Sequence, residues 1–256
     1  EVGVGCGGHD GGVPEPLLLL HGFTQTGRGW DEVAHHLARE TYRPLAPDLR
    51  GHGAAASRRP IDVESCAGDV ARLVAGRFAL AGYSMGGRLA LHVALAHPER
   101  VSRLVLVSTT AGIEDPDERA RRRAADEELA AWMEADGRLM TEVADRWGAQ
   151  PLFAGQAPEV AAAARADRLN NDPRHLAAAL RGVGTGSMAP VWDRLAELEM
   201  DVVVLAGERD AKFAALARRL AAGLRRVDLE IVPGAGHALA LEAPAAVAAA
   251  IDRRVR

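Results

Sequence analysis

The sequence predicts an α/β architecture, a mostly parallel sheet with helices on both faces, interrupted by a purely helical insertion. Three observations carry this expectation. Short continuous apolar runs, suited to strands buried on both faces, recur along the chain. Helix-length amphipathic segments separate them, the alternation that gives parallel sheets. One stretch, 113–188, carries helical patterns alone.

Taken in order, Gly3, Gly5, Gly7, Gly8, Gly11 and Gly12 make the first dozen residues pliable, as in a frayed terminus or an edge hairpin. No strand precedes them and no amphipathic helix follows, so they are no dinucleotide fingerprint. The first strand is Leu17 to Leu20, ended by His21-Gly22. Further strands are expected at Arg43–Pro47, Phe78–Ala81, Val101–Val107, Val202–Ala206 and Val227–Val232. Helices are expected at about Trp30–Glu40, Val63–Ala75, Gly86–His97, Lys212–Gly223 and Pro244–Arg253. The chain therefore divides into a first core part (1–112), a helical lid (113–188) and a second core part (189–256). In open α/β sheets ligands bind at the carboxyl ends of the strands, so an insertion after Val101–Val107 would cover the site.

Composition narrows the function. With 256 residues, 48% of them hydrophobic, the chain is long enough for a sizeable core. Net charge is −4 with no basic block, which argues against nucleic acid as a partner. No apolar run approaches the roughly 20 residues of a membrane span. The two cysteines, Cys6 and Cys66, cannot form a disulfide framework, and no Cys/His spacing suits a metal. No basic n-region or apolar h-region opens the chain, so a cytoplasmic location is expected. No cofactor is called for. The insertion holds ten Arg against fourteen Asp and Glu, so the formal −4 localises there while the remainder balances. Of the 31 basic residues only Lys212 is lysine.

The chemistry-bearing signal is Gly82-Tyr83-Ser84-Met85-Gly86, a G-x-S-x-G pentapeptide between an expected strand and an expected helix. Such a turn exposes the Ser84 hydroxyl, which becomes reactive only when a neighbour takes its proton. His237 follows the strand Val227–Val232 and Asp210 follows Val202–Ala206, both on the edge that carries Ser84. Asp210 would orient His237, and His237 would activate Ser84. Taken singly, Asp210 could be a helix N-cap and His237 an ordinary loop residue, and Glu208 competes as the acid. Asp210 is preferred because it lies farther past the strand. The N–H groups of Phe23, after the first strand, and of Met85 are expected to form the oxyanion hole. His52 is expected to pack a loop, and His92 and His97 to be ordinary helix residues. His9, His35, His36 and His175 lack partner spacing.

Over nearly its whole length the chain resembles the α/β-hydrolase superfamily. Within it, the chain looks most like the 2-succinyl-6-hydroxy-2,4-cyclohexadiene-1-carboxylate synthase family, pyruvate-eliminating lyases of menaquinone biosynthesis. The residues carrying this are Leu20–Gly27, Pro47–Gly53, Gly82–Arg88, Leu180–Gly186 and Gly207–Phe213. The last two blocks, with Tyr83 and Arg88, are the family-specific ones. The resemblance implies a small-molecule substrate with several carboxylates, for which Arg supplies bidentate, permanently charged partners. It implies substrate contact by Tyr83, Arg88, Arg122, Trp147 and Arg168, with Arg121 and Arg123 left to solvent. Two departures stand out: Ala240 replaces a second His frequent in the family, and Ala54-Ala55-Ala56-Ser57 stretches the Gly-His-Gly-x-Ser spacing. The leading expectation is a lyase. The alternatives are a serine hydrolase acting on an ester, lactone or carbon–carbon bond, marked by covalent trapping of Ser84, and a non-catalytic receptor, marked by ligand binding without turnover.

Overall fold

The computed structural model describes residues 13–253 and residue 255; the glycine-rich start, with Cys6 and His9, lies outside them. Six strands pair in parallel in the order β2-β1-β3-β4-β5-β6. They are β1 (Glu15–Leu20), β2 (Tyr42–Leu45), β3 (Phe78–Tyr83), β4 (Val101–Val107), β5 (Asp201–Gly207) and β6 (Val227–Val232). Leu17 to Leu20 are fully buried because helices cover both faces of the sheet. Their alternation divides the core. Leu18 and Leu20 join Leu80, Leu104, Leu106, Val202 and Val204 on one face. Leu17 and Leu19 join Ala79, Ala81, Val105, Val203 and Leu205 on the other. The first face packs against α2 (Val63–Arg72), α3 (Met85–Ala96) and α8 (Ala211–Gly223). The second packs against α1 (Asp31–His36), the short α9 (Leu239–Glu242) and α10 (Pro244–Asp252). Pro44, which cannot donate to a ladder, sits in edge strand β2.

The expected helix Trp30–Glu40 is corrected. A 3₁₀ turn over Gly27–Trp30, capped by the Thr26 side chain, leads into an α1 that stops at His36. Leu37 is extended and buried, and the N–H groups of Thr41 and Tyr42 both donate to Ala38 O, which turns the chain into β2. The apolar spacing of Leu37 thus reflects burial under the sheet, not another helical turn.

Between β4 and β5 the chain forms α4 (Pro116–Glu134), α5 (Met140–Gly148), α6 (Pro158–Arg168) and α7 (Pro173–Val183). Asp115 and Asp172 cap α4 and α7, each followed by Pro at the first helical position. Of these, α4, α5 and α7 share a small core of their own, Ala130, Met133, Val143, Leu176, Ala177 and Leu180. Their neck is closed where Val191 N–H donates to Ala111 O at 2.8 Å and the Trp192 indole N–H to Gly112 O at 2.8 Å. Much of the insertion's charge pairs on its surface, as in Arg181 with Glu127 and Glu134 and Arg165 with Asp145.

Candidate active site

Strand β3 runs straight into α3 through Ser84, whose backbone sits at φ 52°, ψ −109°. A non-glycine residue there is strained by about 1–3 kcal/mol and persists only when its surroundings over-determine it. They do: Ser84 N–H donates to Val107 O at 2.9 Å, and Ser84 O accepts from Thr109 Oγ at 2.7 Å. Glycine is required on both sides. A Cβ at position 82 would lie 2.3 Å from Gly86 O, and one at position 86 would lie 2.1 Å from Leu20 O.

The three residues read from separate loops converge. Nδ1–H of His237 donates to Asp210 Oδ2 at 2.7 Å, and His237 Nε2 accepts from Ser84 Oγ at 3.2 Å. Asp210 is also the N-cap of α8, its other oxygen accepting from Phe213 N–H at 3.1 Å. The cap role and the orienting role coexist in one carboxylate. Glu208 is exposed and accepts from Gly234 N–H instead. The rings of Phe213, Tyr83 and Phe153 stand 4.4, 5.3 and 6.0 Å from that of His237, leaving it 1% exposed.

Phe23 and Met85 flank this group with free donors. In the turn after β1, Gly22 N–H donates to the Gln25 side chain, Thr24 N–H to His52 Nε2 and Gln25 N–H to Gly22 O. Among the described residues nothing accepts from Phe23 N–H. Met85 N–H, at the first position of α3, also has no acceptor among the described residues, because helix starts leave their amides unpaired. Thr24 takes a left-handed φ of 69°, and its carbonyl accepts from Asn171 Nδ2 at 2.8 Å. Below it, His52 and His21 are fully buried and edge-to-face, with ring centroids 5.0 Å apart. Each accepts a backbone N–H on Nε2, from Thr24 and Leu49, and donates from Nδ1 to a carbonyl. Burial pushes His21 down to about 4 and His52 well below the usual imidazole range, so both stay neutral.

Ser84 opens into a cavity of about 440 Å³, also lined by Phe23, Met85, Arg88, Arg122, Trp147 and Lys212. A smaller recess of about 30 Å³ adjoins it, sharing Ser84, Phe23 and Trp147 and adding Tyr83, His237 and Arg168. Arg88 and Arg122 therefore line one chamber, whereas Arg168 lines the smaller recess with Ser84. Arg88 is held by Val183 O at 3.0 Å and by the Met188 sulfur, and burial, with Arg122 beside it, lowers its guanidinium to about 10. Arg122 is already engaged by Asp126 at 2.8 Å. Arg168 is 4% exposed, lies 5.1 Å over the Phe153 ring, and its Nε has no partner. Among the described residues no carboxylate pairs with Arg88 or Arg168. Arg123 is exposed but donates to Gly186 O, and Arg121 is exposed.

Gln150, Thr185 and Lys212 also line the main chamber and were not singled out as site residues from sequence. Thr185 and Lys212 carried a signal there, each lying in one of the two family-specific blocks, Leu180–Gly186 and Gly207–Phe213.

Residues 17–250 match the family model described as "Alpha/beta hydrolase family". The chain belongs to the α/β-hydrolase family. It is 31% identical over 244 residues to 2-succinyl-6-hydroxy-2,4-cyclohexadiene-1-carboxylate synthase of Escherichia coli O1:K1 / APEC, covering 94% of this chain and 93% of that one. A Bacillus subtilis (strain 168) relative, provisionally given the same name, is 37% identical over 240 residues, covering 90% of this chain and 86% of its own. The solved structure of MenH from S. aureus superposes with a TM-score of 0.85 at 28% identity, covering 93% of this chain and 91% of that one. As an α/β hydrolase, the chain has its Ser, Asp and His in the order usual for that fold.

Proposed function

We propose that this enzyme is a lyase that eliminates pyruvate from 2-succinyl-5-enolpyruvyl-6-hydroxy-3-cyclohexene-1-carboxylate, giving 2-succinyl-6-hydroxy-2,4-cyclohexadiene-1-carboxylate. The observation that carries the reading beyond a generic serine enzyme is the pair of arginines beside Ser84, half-buried Arg88 and buried Arg168, neither paired with a carboxylate among the described residues. Burying a guanidinium is costly unless something neutralises it, and a polyanionic substrate would do so. The relatives named as synthases of that diene support the choice of substrate.

In the mechanism Ser84 is the base. His237 takes the hydroxyl proton, Asp210 holds the resulting imidazolium, and Ser84 Oγ removes the proton at C2, next to the succinyl ketone. Electron density moves onto the ketone oxygen, where the N–H groups of Phe23 and Met85 receive it. As the carbonyl re-forms, the double bond at C3–C4 becomes C2=C3 and C4=C5. The C5–O bond breaks, and the enolpyruvate takes up a proton to become pyruvate. No water attacks and no covalent intermediate forms. Arg88 and Arg122, with Lys212 nearby, and Arg168 in the adjoining recess would hold the substrate carboxylates, with Trp147 and Tyr83 closing around the ring.

Mass spectrometry during turnover tests this. The elimination predicts equal amounts of pyruvate and diene and no adduct on Ser84. The serine-hydrolase reading uses the same triad and donors, and it predicts an acyl-Ser84 adduct with an activated ester and no pyruvate from the intact substrate.

A further inference from the structure

The loop that carries His237 is not part of the sheet ladder, yet its imidazole must face Ser84 and Asp210 together. Glu242, five residues later at the end of α9, is where that loop is tied. Its side chain is 5% exposed, and four donors converge on its carboxylate. Oε2 accepts from Gly236 N–H at 2.7 Å and from the Arg209 guanidinium at 2.6 Å. Oε1 accepts from Ala238 N–H at 3.0 Å and from Gln156 Nε2 at 3.3 Å. Each oxygen thus takes one main-chain donor and one side-chain donor.

The two main-chain donors are the residues on either side of His237, and no backbone carbonyl among the described residues takes their hydrogens. Arg209 immediately precedes Asp210, its own N–H donates to Ala235 O at 2.9 Å, and its guanidinium also reaches Gly155 O. Gln156 and Gly155 belong to the helical insertion. One carboxylate therefore joins the loop of the base, the loop of the acid and a turn of the insertion.

From this convergence we infer that Glu242 is a positioning residue: it brackets His237 from both sides and sets the imidazole against Ser84 and Asp210. Removing it leaves two buried amides without acceptors and frees the loop to turn the ring. Small displacements of a catalytic group cost rate far more than they cost binding. Glu242 does not line either chamber, so substrate affinity is not its concern.

The inference rests on the proposed role of His237 as proton acceptor, and the test separates the two. E242A and E242Q are compared with the unmodified enzyme by steady-state pyruvate release, by thermal melting, and by the downfield proton NMR signal of the His237 Nδ1–H held by Asp210. E242A is expected to lose about tenfold to a hundredfold in kcat with little change in KM, and to lose the downfield signal to exchange. E242Q, whose amide oxygen can accept from one flanking N–H but whose NH₂ accepts nothing, falls between. It also serves as the folded variant should E242A fail to accumulate. A lowered melting temperature with kcat unchanged and the downfield signal intact in E242Q overturns the inference, because that is what a merely structural carboxylate would give. If the unmodified enzyme releases no pyruvate, the elimination fails, and the NMR comparison still decides the role of Glu242.

Discussion

His21 and His52 show how a single residue can set conditions for the whole site. Both imidazoles are neutral acceptors under the turn that presents Phe23, and protonation would turn each acceptor into a donor facing a donor. Their folded-state values lie below the ordinary imidazole value, to about 4 for His21. Between pH 6.5 and about 4 the unfolded chain therefore binds protons that the folded chain refuses. Stability contributed by these groups is complete above pH 6.5 and declines as pH falls through that window, by about 1.4 kcal/mol per pH unit per histidine. Chemical denaturation at pH 7.5 and pH 5 is expected to show this loss. Equal midpoints at the two pH values would show that the pair does not hold the turn in its neutral form.

At the scale of elements, the turn that presents Phe23 is held by the insertion. Just beyond α6, Asn171 donates to Thr24 O at 2.8 Å and accepts from Gly53 N–H at 2.9 Å, while Asp167 on that helix accepts from both Thr26 N–H and Thr26 Oγ. Asn171→Ala leaves a carbonyl and an amide unpaired beneath the insertion. It is expected to cost about 1–3 kcal/mol of stability and to lower kcat more than it raises KM, as measured by urea unfolding and steady-state kinetics. An unchanged kcat would mean that the turn holds its shape without the insertion.

What was legible in the sequence follows the same division of scale. Ser84, Asp210 and His237 each follow a strand, so their shared edge could be read from local patterns, and the structure brings their side chains together. The inner strands β1, β3, β4 and β5 were legible because buried parallel strands are near-continuous apolar runs, whereas the edge strands β2 and β6 are only partly buried. Leu37 misled because burial under a sheet and burial on a helix face leave the same mark on a sequence. The split of the arginines between two chambers and the entry of Gln150 depend on how α4, α5 and α6 pack over the sheet, whereas the Arg122–Asp126 pair is an i,i+4 contact within α4. No local spacing encodes that packing.

For the whole molecule, many charges of the insertion pair with one another on its outer surface, which leaves its formal −4 in place, whereas Arg88 and Arg168 line the chambers at Ser84 with no carboxylate paired to them among the described residues. Substrate capture should therefore be electrostatic, with kcat/KM falling as salt rises from about 0.05 to 0.5 M while kcat changes less. Arg168→Ala should raise KM and flatten that dependence. A salt-independent kcat/KM in the unmodified enzyme would point to an uncharged substrate. Among the described residues no helix is long and apolar enough to cross a membrane.

The most direct test of the account is the rate of pyruvate release from the intact enolpyruvyl substrate by the unmodified enzyme and by Ser84→Ala. The account predicts catalytic release by the former, matched mole for mole by diene, and a loss of at least about a thousandfold in the latter. No release by the unmodified enzyme, or undiminished release by Ser84→Ala, would contradict it.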